Sequence, residues 1–423
     1  MLPERENGKI WNHIIRQPEI VCRRRFKNGI AATFFIAALS FGMAFCSFAA
    51  ANSVSEPADT GKSAAELNGY TEERWRQLND NTLEYGELQD LVHTFNPTVS
   101  EAWKSFDSSV SDMSTMIENL QGRKREISDL EKSAKDSGDY SSYANYAMQN
   151  IILKKTVSAL SDARDLLARP VTQTNRPLRQ AEAQVTFGAK NLMIAYQSME
   201  DQRQILSGLV SMDQTLYDNA NSHLSAGTGT ETDVLSAKAN LLSDQVKLSQ
   251  LTSAQEKIKK QLILMCGWKE DADPVIGEVP ASDLSRMENM NPQKDITAAI
   301  GNNYTLISFR SADHTKSTAS YGARTLSENE MEQNLLNNLT ADYNGILSDK
   351  TGLEASEAGM AAAQITKNAA DKQYELGLIT TAQYRGLITS FTGAQSALKT
   401  ADRTLFQAME TYDAAVAGIC STE

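Results

Sequence analysis

Residues 224–235 read LSAGTGTETDVL and residues 374–385 read YELGLITTAQYR, the same punctuation twice at an offset of 150 residues. In each copy a glycine (Gly227, Gly377) is followed three residues on by a threonine (Thr230, Thr380). Glycine adopts the left-handed conformation that closes one helix, and a threonine hydroxyl caps the first amides of the next. The flanking sequence is helical in pattern. After the second copy Leu387, Phe391, Ala394, Leu398, Ala401, Leu405, Ala408, Tyr412 and Ala415 recur at heptad spacing, the seam of a helix packed along a partner. Ala237, Leu241, Leu248, Leu251, Ile258 and Leu262 form the corresponding seam in the first half, and Leu192, Met199 and Leu206 mark the helix before it. The unit is a long helical hairpin with a tight polar tip, present twice, each closing at Gly267 or Gly418.

Proline sets where such helices run, because inside a helix it removes a hydrogen bond and clashes with the preceding turn. None occurs from Leu178 to Asp273 or from Gln293 to Glu423. Asn96-Pro97 supplies an N-cap before a first-position proline and predicts a helix through roughly Lys135. Breaks follow at Asp136-Ser137-Gly138-Asp139 and between Arg169 and Pro177, and a longer one from Gly267 to Pro292 divides the halves. A helix of some 45 residues spans roughly 70 Å, so a rod is expected rather than a globule. The domain reading is 70–266 for the first repeat, 267–292 for an inter-repeat linker and 293–423 for the second repeat.

Composition agrees. Aromatics at 7% and nine prolines argue against a loop-rich sandwich or barrel. With 41 Lys+Arg against 53 Asp+Glu the chain carries −12, a poor match for nucleic acid. The uncharged run Gly29–Ala51 follows the basic cluster Arg23-Arg24-Arg25-Phe26-Lys27, the order of a secretory signal cleaved before Asn52, or of an uncleaved membrane anchor. Residues 1–51 are therefore read as signal peptide or anchor, 52–69 as a flexible linker, and the bulk of the chain as exported to the cell envelope. Past the leader stand Cys266 and Cys420, open to one bridge or two free thiols. His93, His223 and His314 are widely separated and expected to be solvated, as are the carboxylates Glu72-Glu73, Glu328, Glu330 and Glu332. Gly227-Thr228-Gly229 lacks the lysine and preceding strand of a phosphate loop. No enzyme, cofactor or metal is expected.

Taken together, the chain resembles the outer-membrane efflux protein family, the TolC-like proteins. Gly227, Thr230, Asp233, Val234, Leu235 and Ala237 match the family pattern in the first half, and Tyr374, Gly377, Leu378, Thr380 and Ala417-Gly418 in the second. Phe95-Asn96-Pro97 and Asn302-Asn303-Tyr304 fit its Asn-Pro-like openings, the latter without the proline. The resemblance implies a membrane barrel built from one strand pair per half, and spanning strands need about nine to eleven alternating residues. Neither Arg169–Gln184 nor Arg310–Arg324 offers them. The expected fold is all-α: long antiparallel coiled-coil hairpins in two internal repeats, TolC-like without a membrane β-barrel.

The resemblance further implies an efflux or export conduit that docks a membrane-fusion (periplasmic-adaptor-like) protein attached to an inner-membrane ABC-type or other pump. The adaptor contacts are expected at the hairpin tips: Gly227, Thr230, Asp233 and Val234 on one, Leu376, Gly377, Leu378 and Thr380 on the other. A homotrimer closing a six-hairpin tube is expected too, and a second apolar stripe, with Ile388 beside Leu387 and Leu242 beside Leu241, calls for association. The alternative is an exported coiled-coil structural or surface-interaction protein without transport.

Overall fold

The computed structural model describes residue 65 and residues 68–167, 175–312 and 318–419. The leader, most of the 52–69 linker, His314 and Cys420 lie outside them. Short elements come first: α1 (Glu72–Leu78), β1 (Thr82–Leu83) and α2 (Leu88–Phe95). Asn96 then begins α3 (Pro97–Asp136), its side-chain carbonyl accepting from the amides of Thr98 and Val99 at 3.1 Å each. A left-handed Gly138 turns the chain into α4 (Tyr140–Leu167), with the Asp139 amide closing on the Ala134 carbonyl. The Asp136–Asp139 break is thus the tip of a further helical hairpin, one that the twofold sequence repeat does not announce.

Two longer hairpins follow. The first is α5 (Arg176–Ser225) with α6 (Glu231–Met265). β2 (Val275–Ile276), α7 (Leu284–Asn289), α8 (Pro292–Asn302) and α9 (Tyr304–Ser311) lead to the second, α10 (Thr318–Glu375) with α11 (Thr381–Ala414). A π turn, Ala415–Ile419, ends the described chain. The strands found among the described residues are β1 and β2, paired in parallel as Thr82↔Val275 and Leu83↔Ile276. The fold is therefore all-α, built from antiparallel hairpins. Among the described residues no helix is long and apolar enough to cross a membrane.

Both long hairpins close in the same way at their open ends. Gly267 (φ +80°) and Gly418 (φ +103°) press their Cα against the carbonyls of Phe95 and Asn302; a Cβ would lie 2.0 and 2.2 Å from those oxygens, so only glycine fits. Each carbonyl belongs to the residue before a capping asparagine. Asn96 Nδ2 also donates to the Met265 carbonyl at 2.8 Å, and Asn302 Nδ2 to that of Val416 at 3.1 Å. Short elements cover these ends and form the core there. Leu83, Leu88, Val92, Met193, Leu262 and Cys266 bury together around the first closure. Leu335, Leu339, Leu405, Met409 and Tyr412 do so around the second.

Side by side the two hairpins form an array in the order α10, α11, α5, α6, with α5 against α11 in the middle. Ion pairs stitch that central contact at three levels. Lys190 meets Glu410 at 2.8 Å, Asp201 meets Arg403 at 3.3 Å, and Arg385 grips Asp213 through two bonds of 2.8 and 3.0 Å. Because α5 packs on α6 and α11 at once, its buried face is wider than one seam. Leu192, Met199 and Leu206 are half-buried, while Met193, Leu209 and Leu216 are buried, a shift from the expected seam. The same contact buries Ile388, so the stripe expected to stay open on α11 is covered within the protomer; Leu242 on α6 does remain exposed.

Candidate functional site

The hairpin tips are built by backbone chemistry that the sequence dictates. After α5, Gly227 at φ +75° lets the Thr228 amide reach the His223 carbonyl at 2.9 Å, a closure that satisfies otherwise orphaned carbonyls. The Thr230 hydroxyl then accepts from the Asp233 amide at 3.2 Å, and Asp233 returns a carboxylate oxygen to the Thr230 amide at 3.2 Å. That reciprocal pair is a capping box. The second tip repeats it with Gly377 at φ +69°, Leu378 amide to Gln373 carbonyl at 2.8 Å, and a Thr380–Gln383 box. Tyr374 stacks on Tyr384 at 4.4 Å just above, and the Tyr384 hydroxyl donates to Asp371 at 2.9 Å. Burial, with Asp371 beside it, pushes that phenol up to about 12.

Of the residues expected to contact a partner, Gly227, Thr230, Asp233, Gly377 and Thr380 are exposed and engaged in shaping the turns, while Val234 is half-buried. Leu376 and Leu378 differ. They are 73% and 70% exposed at the very tip, with no covering element, which leaves them free to meet another surface. The three ion-pair levels fix the register of α5 against α11. By that register the α11 start at Thr381 falls about five residues, roughly 8 Å, short of the α5 end at Ser225.

Above the tips lies a buried polar cluster. Arg385 bonds both Asp213 carboxylate oxygens and Asp244 Oδ2 at 2.8 Å, with Lys247 on the other Asp244 oxygen at 2.7 Å. Both aspartates are 1% exposed. Donating to Asp213 raises the Arg385 pKa further, and the cluster ties three helices together. Sequence reading missed it, although a signal exists: Asp244 falls on the heptad register of Ala237, Leu241 and Leu248, where a charge must find a partner. Elsewhere Arg203 leads three donors that hold Glu200 down at about 2.

Two expectations about solvated charges are corrected. His93 Nδ1 lies 3.0 Å from Glu182, whose other oxygen accepts from the Trp103 indole at 2.8 Å. The Glu182 contact raises His93; burial works against Glu182 ionising, yet His93 and Trp103 hold it below its usual range. Glu328 and Glu332 likewise pair with Arg310. Cys266 is a free, fully buried thiol, pushed up to about 12 by burial. A cleft of about 350 Å³ opens where the repeats meet, lined among others by Arg179, Glu182, Lys190, Tyr304 and Asp413. Its charges largely neutralise one another, Lys190 on Glu410 and Glu182 on His93.

The outer helices of the array show a different surface. Away from α5, α6 presents exposed Leu235, Ala239, Leu242 and Val246; away from α11, α10 presents exposed Leu347, Thr351, Ala358, Ala362, Ile365 and Ala369. Both rows are uncharged and, with exposed Ala355 between Thr351 and Ala358, step by three or four, so each is a straight stripe along its helix. No protein-family model matches the chain, and no curated protein matches it in sequence. Among solved structures it is similar to the Campylobacter jejuni CmeC outer membrane channel, with 11% identity over 64% of this chain and 68% of that chain and a TM-score of 0.42. It is also similar to the outer membrane protein VceC from Vibrio cholerae, with 14% identity over 63% and 76% and a TM-score of 0.45. The outer-membrane channel OprN matches at 10% identity over 81% and 92%, with a TM-score of 0.46.

Proposed function

We propose that the protein is the conduit of an envelope efflux or export assembly, a homotrimer whose hairpins close a tube and whose tips dock a membrane-fusion adaptor serving an inner-membrane pump. The observation that carries this reading is the four-helix array with an uncharged stripe on each of its two outer edges. One copy cannot cover its own edges, since they lie on opposite sides of the array. Head-to-tail contact, α6 of one copy on α10 of the next, covers both, and rotation closes the chain of contacts into a ring. The bulkier row, Leu235, Leu242 and Val246, faces a row dominated by Ala358, Ala362 and Ala369, sizes that interdigitate at a helix contact. Three copies come from the family resemblance.

The tips give the docking end. Leu376 and Leu378 are apolar, exposed and flanked by capped turns whose own polar groups are satisfied, which suits end-to-end contact with another hairpin tip. A photo-crosslinking residue placed at Leu378 in the native envelope should capture a membrane-fusion protein, and Leu378→Asp should abolish export while helicity by circular dichroism is unchanged. Export that survives in folded Leu378→Asp protein would remove the tip from the docking surface.

A further inference from the structure

The α3–α4 hairpin is the one long element that the conduit reading leaves without a task. It meets α5 near its base, where Trp103 bonds Glu182 and Arg179 stacks on Trp103 at 5.4 Å. Farther out α3 packs along α4, with Asn150 donating to Glu131 at 2.8 Å across the seam. None of the residues of α4 is buried. The face it turns away from α3 carries Met148, Ile151 and Ile152, each more than half exposed, and Tyr140 at the tip is 80% exposed. Such a row on a single helix is a surface waiting for a low-polarity partner.

Charge says which partner. From Tyr140 to Ser161 α4 contains Lys154 and Lys155 and no carboxylate. Across residues 120–160 seven Lys and Arg stand against five Asp and Glu, in a chain whose balance is −12. On α3 near the same level Arg123 and Arg125 are exposed together with Glu126 and Asp129, so the positive charge beside the row is that of α4 itself. A helix with an aliphatic row, a tyrosine at one end and lysines beside the row has the makeup of one that lies in a bilayer interface. Lysine stems reach along the apolar row while their ammonium groups stay with the headgroups. Asp136 and Asp139 at the hairpin tip disfavour tip-first entry into an anionic surface, which leaves the side of α4 as the docking face.

We infer that the outer face of α4 rests on an anionic lipid surface, with Met148, Ile151 and Ile152 in the interface and Lys154 and Lys155 on the headgroups. This contact is independent of tip docking and of ring closure, because it uses neither the α6 and α10 edges nor Leu376 and Leu378. It gives a chain with no membrane-crossing helix among its described residues a way to hold one end against a membrane.

The test places a polarity-sensitive fluorophore on Ile152→Cys in the full chain, with Cys22, Cys46 and Cys420 changed to serine and buried Cys266 retained. The protein is reconstituted in phosphatidylglycerol or phosphatidylcholine vesicles at two protein densities. A blue shift of the emission in phosphatidylglycerol is expected, lost in Lys154→Glu/Lys155→Glu and at raised salt. The same label on Gln364→Cys of α10 should not move. Circular dichroism checks that each variant is folded. No shift in phosphatidylglycerol overturns the proposal. So does a shift of equal size in both lipids, and its growth with protein density would identify a second copy of this chain as what covers α4.

Discussion

Glycine appears in this chain in two physically distinct settings, and the difference predicts what mutation does. At Gly267 and Gly418 a positive φ coincides with backbone carbonyls where a Cβ would stand. At Gly227 and Gly377 the φ is equally positive, but the space is open. Gly267→Ala should therefore cost roughly 3 kcal/mol or more, since a backbone clash adds to left-handed strain, whereas Gly227→Ala should cost about 1 kcal/mol. Urea denaturation of the two variants checks the ranking. His93 and Glu182 give a second prediction. A histidine raised by its partner contributes stability that is complete below its ordinary value and is lost as pH rises through the raised one. Glu182, held low, contributes above its ordinary value and loses that contribution as pH falls. The pair thus works best between the ordinary values of 4.5 and 6.5. The stability gap between the native chain and His93→Gln should be widest there and narrow on both sides, as read by thermal melts across pH.

At the scale of elements, the ion-pair levels between α5 and α11 hold the two repeats in register. Arg385→Met would leave Asp213 and Asp244 buried with too few donors, and stranding a buried charge in this way costs about 3–5 kcal/mol. Adding Asp213→Asn should restore part of the loss, since one stranded carboxylate is gone; equal stability of the single and double variants would mean the cluster is not coupled. The same elements show what the sequence could reveal. The tips were legible because a glycine followed three residues on by a threonine defines a turn locally, and the structure builds both turns with the same capping box. The helices were legible from heptad spacing and from Asn96-Pro97. The lateral pairing of α5 with α11 was not, because it joins residues about 200 apart through charges that read as solvent-facing when taken one at a time. The α3–α4 hairpin escaped for another reason: it occurs once, so a twofold repeat cannot point to it.

For the whole molecule, head-to-tail closure makes a prediction that a face-to-face pair does not. Each copy offers two different edges, α6 with Leu242 at 51% exposed and α10 with Ile365 at 72% exposed. Burying a charge at such a contact without a partner is unfavourable enough to open it. Leu242→Glu should therefore disable the α6 edge and Ala362→Glu the α10 edge, each variant sedimenting as a monomer where the native chain associates. Mixed in equal amounts, the two variants still possess one intact pair of edges, α10 of the first and α6 of the second. They should form a dimer that grows no further, because its outer edges are both disabled. In an isologous dimer each patch meets a copy of itself, so whichever edge it used, one of the two variants would keep that edge intact and pair with itself alone, and mixing would create no new contact. Sedimentation of each variant alone and of the mixture therefore distinguishes a ring built from unlike edges, where association appears only on mixing, from any assembly built on one repeated face, where one variant already associates alone.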